Sequence, residues 1–451
     1  MDYSEAIEFL NSLVDYEKLG FRREFGQKVN LDSMTFLAES LGNPQDDLRM
    51  VHIAGTKGKG SVAALVEAIT RAAGYKTGLF TSPHLVSPRE RIRVNGSPLS
   101  RDEMIHLVEQ VRPTVARMRE DKKLTSATFF EVYTAMCFIH FARENVDLAV
   151  IETGLGGRLD STNIITPLAC AITTLGLDHT KVLGDTIEEI AAEKAGIIKP
   201  DIPVVVAPNA PEADVVVTER AKQLNAPVVR PPEVIEVKPP RKIPVPDEAH
   251  DSSPPVQQVT LQHDDGAVTY DLSLLGPHQA TNFSVAVGIV DVLNDCGYEI
   301  SREDIATGAA DIRWPGRLQI MDARPWIVTD CAHNAQSAAA LAEALPPLLE
   351  YDRLIVILGI SREKDAAAVA RALAPITDVA VLTQARIQRA MPVDILKVKT
   401  QHEWKRFETT RSVIEAVEGA RKTAGPRDCI LVTGSFYVVG EFLECVYHER
   451  K

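Results

Sequence analysis

Val51-His52-Ile53-Ala54-Gly55-Thr56-Lys57-Gly58-Lys59-Gly60-Ser61 is a short apolar run feeding a glycine-rich turn. The run has the length of a buried strand, and Ala63-Ala64-Leu65-Val66 beyond it predicts a helix that begins near Ser61. Strand, glycine turn and helix together make a cradle for a nucleotide triphosphate. Glycines let successive backbone amides turn inward, a lysine meets the phosphate charge, a hydroxyl ligates magnesium, and the helix N-terminus favours anions. Lys59 and Ser61 are the candidates for the two side chains, with Gly55, Thr56, Lys57, Gly58 and Gly60 around them. The usual loop places lysine directly before Ser or Thr, whereas here Gly60 stands between Lys59 and Ser61. Without its neighbours, the same turn reads as a flexible helix cap.

Around this unit, strand-like runs at 75–80, 146–151, 169–175 and 203–207 alternate with helical patterns at 104–118, 128–142 and 186–196. That alternation is the signature of a parallel sheet covered by helices. The stretch 231–255 is rich in proline and charge, and 256–261 with 268–272 predicts a hairpin around Asp264-Asp265-Gly266. This region reads as peripheral strands on the first domain, with a disordered linker as the alternative. After Trp314-Pro315-Gly316-Arg317 come strands at 326–329, 354–358, 379–382 and 429–433, and helices at 337–345, 366–373, 410–420 and 438–446. The expected fold is α/β. A P-loop-containing parallel-sheet ATPase domain spans 1–313, with N-terminal helices and a peripheral strand segment around 225–275. A smaller Rossmann-like α/β domain spans 314–451. In open sheets of this kind, ligands collect at the C-terminal ends of strands and between domains.

A chain of 451 residues has room for both domains. Its 49 Lys and Arg against 62 Asp and Glu give a net charge of −13, which argues against a nonspecific grip on nucleic acid. Small ligands are expected instead. The opening Met1-Asp2-Tyr3-Ser4-Glu5 has no basic leader, and no apolar stretch reaches the roughly 20 residues of a membrane span, so no membrane partner is expected and the cytoplasm is the expected compartment. Cys137, Cys170, Cys296, Cys331, Cys429 and Cys445 are scattered without close pairs, which suits a reducing compartment and neither a zinc knuckle nor a disulfide scaffold.

Two further strand exits carry chemistry. Leu148-Ala149-Val150-Ile151 runs into Glu152-Thr153-Gly154-Leu155-Gly156-Gly157-Arg158, placing a carboxylate where a metal can sit. Ala171-Ile172-Thr173-Thr174-Leu175 runs into Gly176-Leu177-Asp178-His179, placing an imidazole at a comparable depth. Magnesium prefers oxygen ligands, so Ser61 with Glu152 is the natural pair, and His179 on its own reads first as a structural histidine on a backbone carbonyl, with metal ligation second. Lys194, in the expected helix 186–196, reads on its own as a solvated surface lysine.

The ordered set of motifs resembles the folylpolyglutamate synthases, including bifunctional dihydrofolate synthases, within the ATP-dependent Mur-type amide ligases. The resemblance runs through Gly55–Ser61, Thr81-Ser82-Pro83-His84-Leu85, Glu90-Arg91-Ile92, Glu152–Asp160, Asp178-His179, Glu193-Lys194-Ala195-Gly196-Ile197, His278-Gln279 with Asn282, Trp314–Arg317, Asp330-Cys331-Ala332-His333-Asn334 and Gly434-Ser435. It departs from the family pattern at Cys331, commonly glycine or valine, and at Glu363, where aspartate is usual.

What the resemblance implies is specific. ATP lies between the domains; Ser61, Glu152 and His179 hold magnesium; Lys194 is carbamylated; Asn282, Arg317 and Asp330 complete the nucleotide site. Lys59, Lys194 and His333 serve the transfer, with Asn334 near the incoming glutamate and Ser435 in the amino-acid pocket. Ser82, Pro83, His84 and Arg91 border the pterin site, where Phe129 with Phe130 supplies an aromatic wall; at helical spacing such aromatics also read as core. The implied reaction activates a folate or dihydropteroate carboxylate as an acyl phosphate, which the amine of L-glutamate attacks. A monomer is expected because one chain can complete both cores. The alternatives are a Mur-type ligase for a non-folate carboxylate and a nucleotide-gated binding protein. The former would carry a UDP-binding domain for which the 50 residues before Val51 leave too little room.

Overall fold

The computed structural model describes residues 1–19, 30–120, 126–244 and 255–449. Eight strands form the first sheet: β1 (Met50–Ala54), β2 (Thr77–Phe80), β3 (Ile92–Val94), β4 (Ser97–Pro98), β5 (Leu148–Glu152), β6 (Ala169–Ile172), β7 (Val204–Val206) and β8 (Val228–Val229). Their order is β4-β3-β2-β5-β1-β6-β7-β8. The six strands from β2 to β8 are parallel, whereas β3 and β4 run antiparallel at one edge. β1 lies between β5 and β6, with Ile53 opposite Glu152 on one side and Ala171 on the other. The carboxyl ends of these strands, and the loops that follow, therefore emerge side by side.

Every residue of β1 is buried, so both faces of the sheet must be covered. Alternation along the strand sorts its side chains. Val51 and Ile53 pack with the helices Lys59–Ala72 and Pro277–Asp295, and Met50 with Phe80 and Ile151 faces Arg101–Glu120 and Phe129–Glu144. The helix Lys59–Ala72 buries ten consecutive residues, Ser61 to Thr70, which fixes its N-terminus against the sheet.

The expected hairpin is present as β10 (Gln257–His263) and β11 (Gly266–Leu272), and it gains a third strand, β9 (Glu233–Lys238), from the proline- and charge-rich stretch. Residues 245–254 of that stretch lie outside the described residues. Val259, Leu261, Tyr270 and Leu272 of this sheet join Phe283 in the first core. Between the small sheet and the rest of the chain, Ile243 donates its amide to Leu348 and accepts from Glu350, tying the segment to the C-terminal half.

The C-terminal sheet has the order β12-β13-β17-β14-β15-β16, formed by β12 (Gln319–Ala323), β13 (Trp326–Thr329), β14 (Leu354–Leu358), β15 (Val379–Leu382), β16 (Phe407–Thr409) and β17 (Cys429–Thr433). β12 is antiparallel and the others are parallel. The sequence pattern omits β12 and β16 because neither is fully buried on both faces, so neither reads as a continuous apolar run. Among the described residues, no helix is long and apolar enough to cross a membrane.

Candidate active site

The turn after β1 is held from both sides. The amides of Thr56 and Lys57 donate to the Thr174 carbonyl, the Thr56 hydroxyl to Gly176 O, and the Thr173 hydroxyl to Lys57 O. Gly55 and Gly58 have φ of +154° and +84°. A Cβ on Gly58 would lie 2.0 Å from Asn282 Oδ1, so only glycine fits this turn between the loop and the helix Pro277–Asp295. The helix Lys59–Ala72 then begins with Lys59 and Gly60, its free amides facing the turn.

Glu152, at the end of β5, sits over the loop. Its Oε2 accepts from the Ser82 amide at 3.1 Å and its Oε1 lies 4.0 Å from Lys59 Nζ. Burial pushes its carboxyl up to about 7 against the pull of Lys59. A cis peptide bond joins Ser82 to Pro83 in the segment that follows β2.

Asp178 is the electrostatic hub. Its Oδ2 accepts from Lys57 Nζ at 2.9 Å and Asn334 Nδ2 at 3.1 Å, and lies 3.8 Å from His333 Nε2. Its Oδ1 accepts from Lys364 Nζ at 2.6 Å. Burial acts to raise its carboxyl, but the charges of Lys57 and Lys364 hold it well below the usual carboxylate range. Lys57 belongs to the first half of the chain; His333, Asn334 and Lys364 belong to the second, so one carboxylate joins both. His179 follows at φ +50°, and burial lowers its imidazole.

Lys194 is 3% exposed at the end of the helix Ile187–Ala195, and burial followed by the Lys59 charge pushes its amine well below the ordinary lysine range. The loop after β5 brings it in: Arg158 donates its amide to Glu193 O, and Gly157 lies so close to the Glu193 and Lys194 carbonyls that a Cβ would meet them at 2.9 Å.

The opposite wall comes from the C-terminal half. His333 Nδ1 lies 2.9 Å from the Cys331 carbonyl, an acceptor only, so Nδ1 carries the proton and Nε2 points at Asp178. Burial keeps this imidazole below its ordinary value, hence neutral. Arg317 stacks over Phe436 at 5.0 Å, and the Ser435 hydroxyl accepts from the Val438 amide as the helix Phe436–Glu449 starts.

A cavity of about 760 Å³ lies between these walls. Of the residues expected from sequence, Gly55 to Ser61, Ser82, Pro83, His84, Glu152, His179, Lys194, Arg317, His333 and Ser435 line it. Five others do not. Asn282 packs behind Gly58, and Asp330 spends its carboxylate on the Leu318 and Ala332 amides. Asn334 caps the helix Ala335–Ala344 while bonding Asp178. Arg91 is 2% exposed, its guanidinium held by both Glu17 oxygens and by His84 Nδ1 at 2.9 Å, with Phe129 and Tyr133 under it. Arg91 thus orients His84 from behind the wall, with Phe129 packed against its guanidinium, while Phe130 is the aromatic that reaches the cavity. Asp178, Lys364, Glu17, Arg389 and Tyr437 also line it and were absent from the expected set. Arg389 bonds both Glu363 and the Glu17 carbonyl across the mouth.

Two family profiles match the chain: Mur ligase middle domain over residues 53–290, and Mur ligase, glutamate ligase domain over 316–436. A probable bifunctional folylpolyglutamate synthase/dihydropteroate synthase of Haloferax volcanii is 34% identical over 98% of this chain, which spans about half (50%) of that relative's length. The dihydrofolate synthase/folylpolyglutamate synthase of Bacillus subtilis is 33% identical over 93% of this chain and 95% of its own length. The structure of Mycobacterium tuberculosis folylpolyglutamate synthase complexed with ADP superposes with a TM-score of 0.87 at 30% identity, covering 98% of both chains. The chain belongs to the dihydrofolate synthase/folylpolyglutamate synthase family of Mur ligases.

Proposed function

We propose that this chain is an ATP-dependent ligase that joins L-glutamate to the carboxylate of a folate, extending tetrahydrofolate and also converting dihydropteroate to dihydrofolate. The observation that carries this reading is the single cavity lined by the phosphate turn from one half and by Arg317, His333, Lys364 and the start of the helix Phe436–Glu449 from the other. A carboxylate is a poor electrophile, so ATP activates it as an acyl phosphate, which the glutamate amine attacks, with ADP and phosphate released. The two halves, 1–313 and 314–451, are the bodies that hold these reactants in register and exclude water.

Lys59 and the amides of the turn receive phosphate oxygens, and Arg317 offers a planar fork of donors from the far wall. His333, neutral with Nδ1–H fixed on Cys331, presents Nε2 to the reacting groups and to Asp178. The free amides at the N-terminus of the helix Phe436–Glu449 favour the glutamate carboxylate beside Ser435. Phe130 and His84 line the folate end.

The donor set fits magnesium: the Ser61 hydroxyl, the Glu152 carboxylate with Oε1 turned toward the loop, and the His179 imidazole share one cavity. The bound ion supplies charge neutralisation on the phosphates. A buried amine in its neutral form takes up carbon dioxide and loses a proton to become a carbamate, so Lys194 in that form adds a negative charge beside Lys59 and Lys57. Both walls come from one chain, which supports a working monomer. A role in the cytoplasm accords with the reducing environment that cysteines scattered without close pairs in the sequence suit.

Dihydropteroate as a substrate is supported by the name of the Bacillus relative and by the haloarchaeal relative's pairing with dihydropteroate synthase. The test is phosphate release from ATP with magnesium and L-glutamate, offering tetrahydrofolate and dihydropteroate in parallel and weighing the products by mass spectrometry. Adducts on both establish the dual reading. An adduct on tetrahydrofolate alone removes the dihydrofolate synthase activity, and turnover with neither overturns the folate assignment.

A further inference from the structure

Outside the cavity, the helices Arg101–Glu120 and Phe129–Glu144 place an unusual trio together. Glu103 stands in the first turn of one, and His140 and Glu144 share a face of the other at i and i+4. One ligand atom from each, two carboxylate oxygens and an imidazole nitrogen, lies within 4.8 Å of the other two. Such an acidic pair would by itself be a solvated surface. His140 changes that reading: it is 3% exposed, and its Nδ1 is buried with no hydrogen-bond partner. A buried imidazole nitrogen left without a partner is costly, and a bound ion is one of the few ways to account for it. The burial also keeps this imidazole below its ordinary value, leaving a lone pair to offer.

We infer that Glu103, His140 and Glu144 form a divalent-cation site of the zinc class that clamps these two helices, separate from the magnesium site of the phosphate turn. One imidazole and two carboxylates are a zinc-type donor set, with water in the fourth place. Tetrahedral zinc with ligand distances of about 2.0–2.1 Å sets its ligand atoms roughly 3.4 Å apart, so small side-chain rotations within the 4.8 Å group close the site. None of the three lines the catalytic cavity. His140 lies ten residues along its helix from the cavity-lining Phe130, about 15 Å away at 1.5 Å per residue. The ion therefore acts on the scaffold, not on the reacting groups.

Lys76 competes for the same carboxylate. Its ammonium donates to Glu144 Oε2 at 2.9 Å and to the Glu144 carbonyl at 2.6 Å. This neighbour supplies a test of sign that a merely structural cluster would fail. Zinc is titrated into the chelator-treated full chain by calorimetry, with wild type, E103Q, E144Q, K76Q and the double variant S61A/H179A, which removes zinc uptake at the phosphate turn. The expected result is one zinc ion per chain that S61A/H179A retains, that E103Q and E144Q weaken by at least about tenfold, and that K76Q tightens. Bound zinc should also raise the thermal midpoint of S61A/H179A. No zinc uptake by S61A/H179A, or the same affinity in E103Q and E144Q as in wild type, overturns the site. Both glutamates are partly exposed, and circular dichroism melts of their variants without zinc verify the fold.

Discussion

His52 shows how one side chain couples the core to the active-site loop. The Thr162 hydroxyl donates to Asp160 Oδ1 at 2.6 Å, so its oxygen must accept from His52 Nε2–H at 2.8 Å, which fixes the tautomer and leaves Nδ1 without a proton. Asp160 in turn accepts the Leu155 amide and shapes the loop after β5. Burial, then the Lys199 charge, pushes His52 down to about 3. The unfolded chain binds a proton here near pH 6.5 and the folded chain does not, so the contribution is whole above that value and falls as pH drops toward 3. Denaturant melts between pH 7 and 4 should show stability falling more steeply in wild type than in H52Q. The difference should reach up to about 1.4 kcal/mol per pH unit, and equal slopes would refute it. A second residue-scale expectation concerns the thiols. Burial pushes Cys170, Cys331 and Cys429 up to about 12, so iodoacetamide at pH 8 should spare them in the native chain, and C331S should keep ligase turnover.

At the scale of elements, the phosphate turn is built by close approach, and two of its glycines differ in kind. Gly58 needs φ +84° and has Asn282 Oδ1 where a Cβ would go; Gly60 lies in the helix, with Glu152 and Trp314 both at an ordinary 3.4 Å. G58A should lose ATP binding by at least about a hundredfold, while G60A should bind within about tenfold of wild type, measured by nucleotide titration. Comparable losses in the two variants would show that the turn tolerates a side chain at Gly58. This element was legible because strand, glycines and helix are contiguous, and the same holds for β13, β14, β15 and β17, whose apolar runs coincide with the strands. Half-buried β12 and exposed β16 carry no such run. The helix Pro277–Asp295 buries residues on all its faces, so no helical stripe marks it. Arg91 illustrates the limit within the site: a motif located the segment, yet only packing shows that Glu17 and His84 consume its donors.

For the whole molecule, the argument turns on Asp178, which sequence placed beside His179 without disclosing what it joins. Its partners lie 121, 156 and 186 residues away at Lys57, Asn334 and Lys364, separations no local pattern reveals. Because two cations from opposite halves share one carboxylate, this contact ties the halves together at the wall of the cavity. With its side chain 11% exposed, the loss of its charge would strand Lys57 and Lys364 near one another with little solvent to screen them. D178N should therefore weaken closure and chemistry together: kcat should fall by at least about tenfold, and the scattering radius with a non-hydrolysable ATP analogue bound should exceed that of wild type. K364M should do the same less severely, and the double variant should show a coupling of about 1–3 kcal/mol in kcat/KM. Additive effects with an unchanged radius would mean that Asp178 serves only the local charge balance. Coupling with an enlarged radius would identify this carboxylate as the contact through which the phosphate turn and the C-terminal wall close on the same substrate.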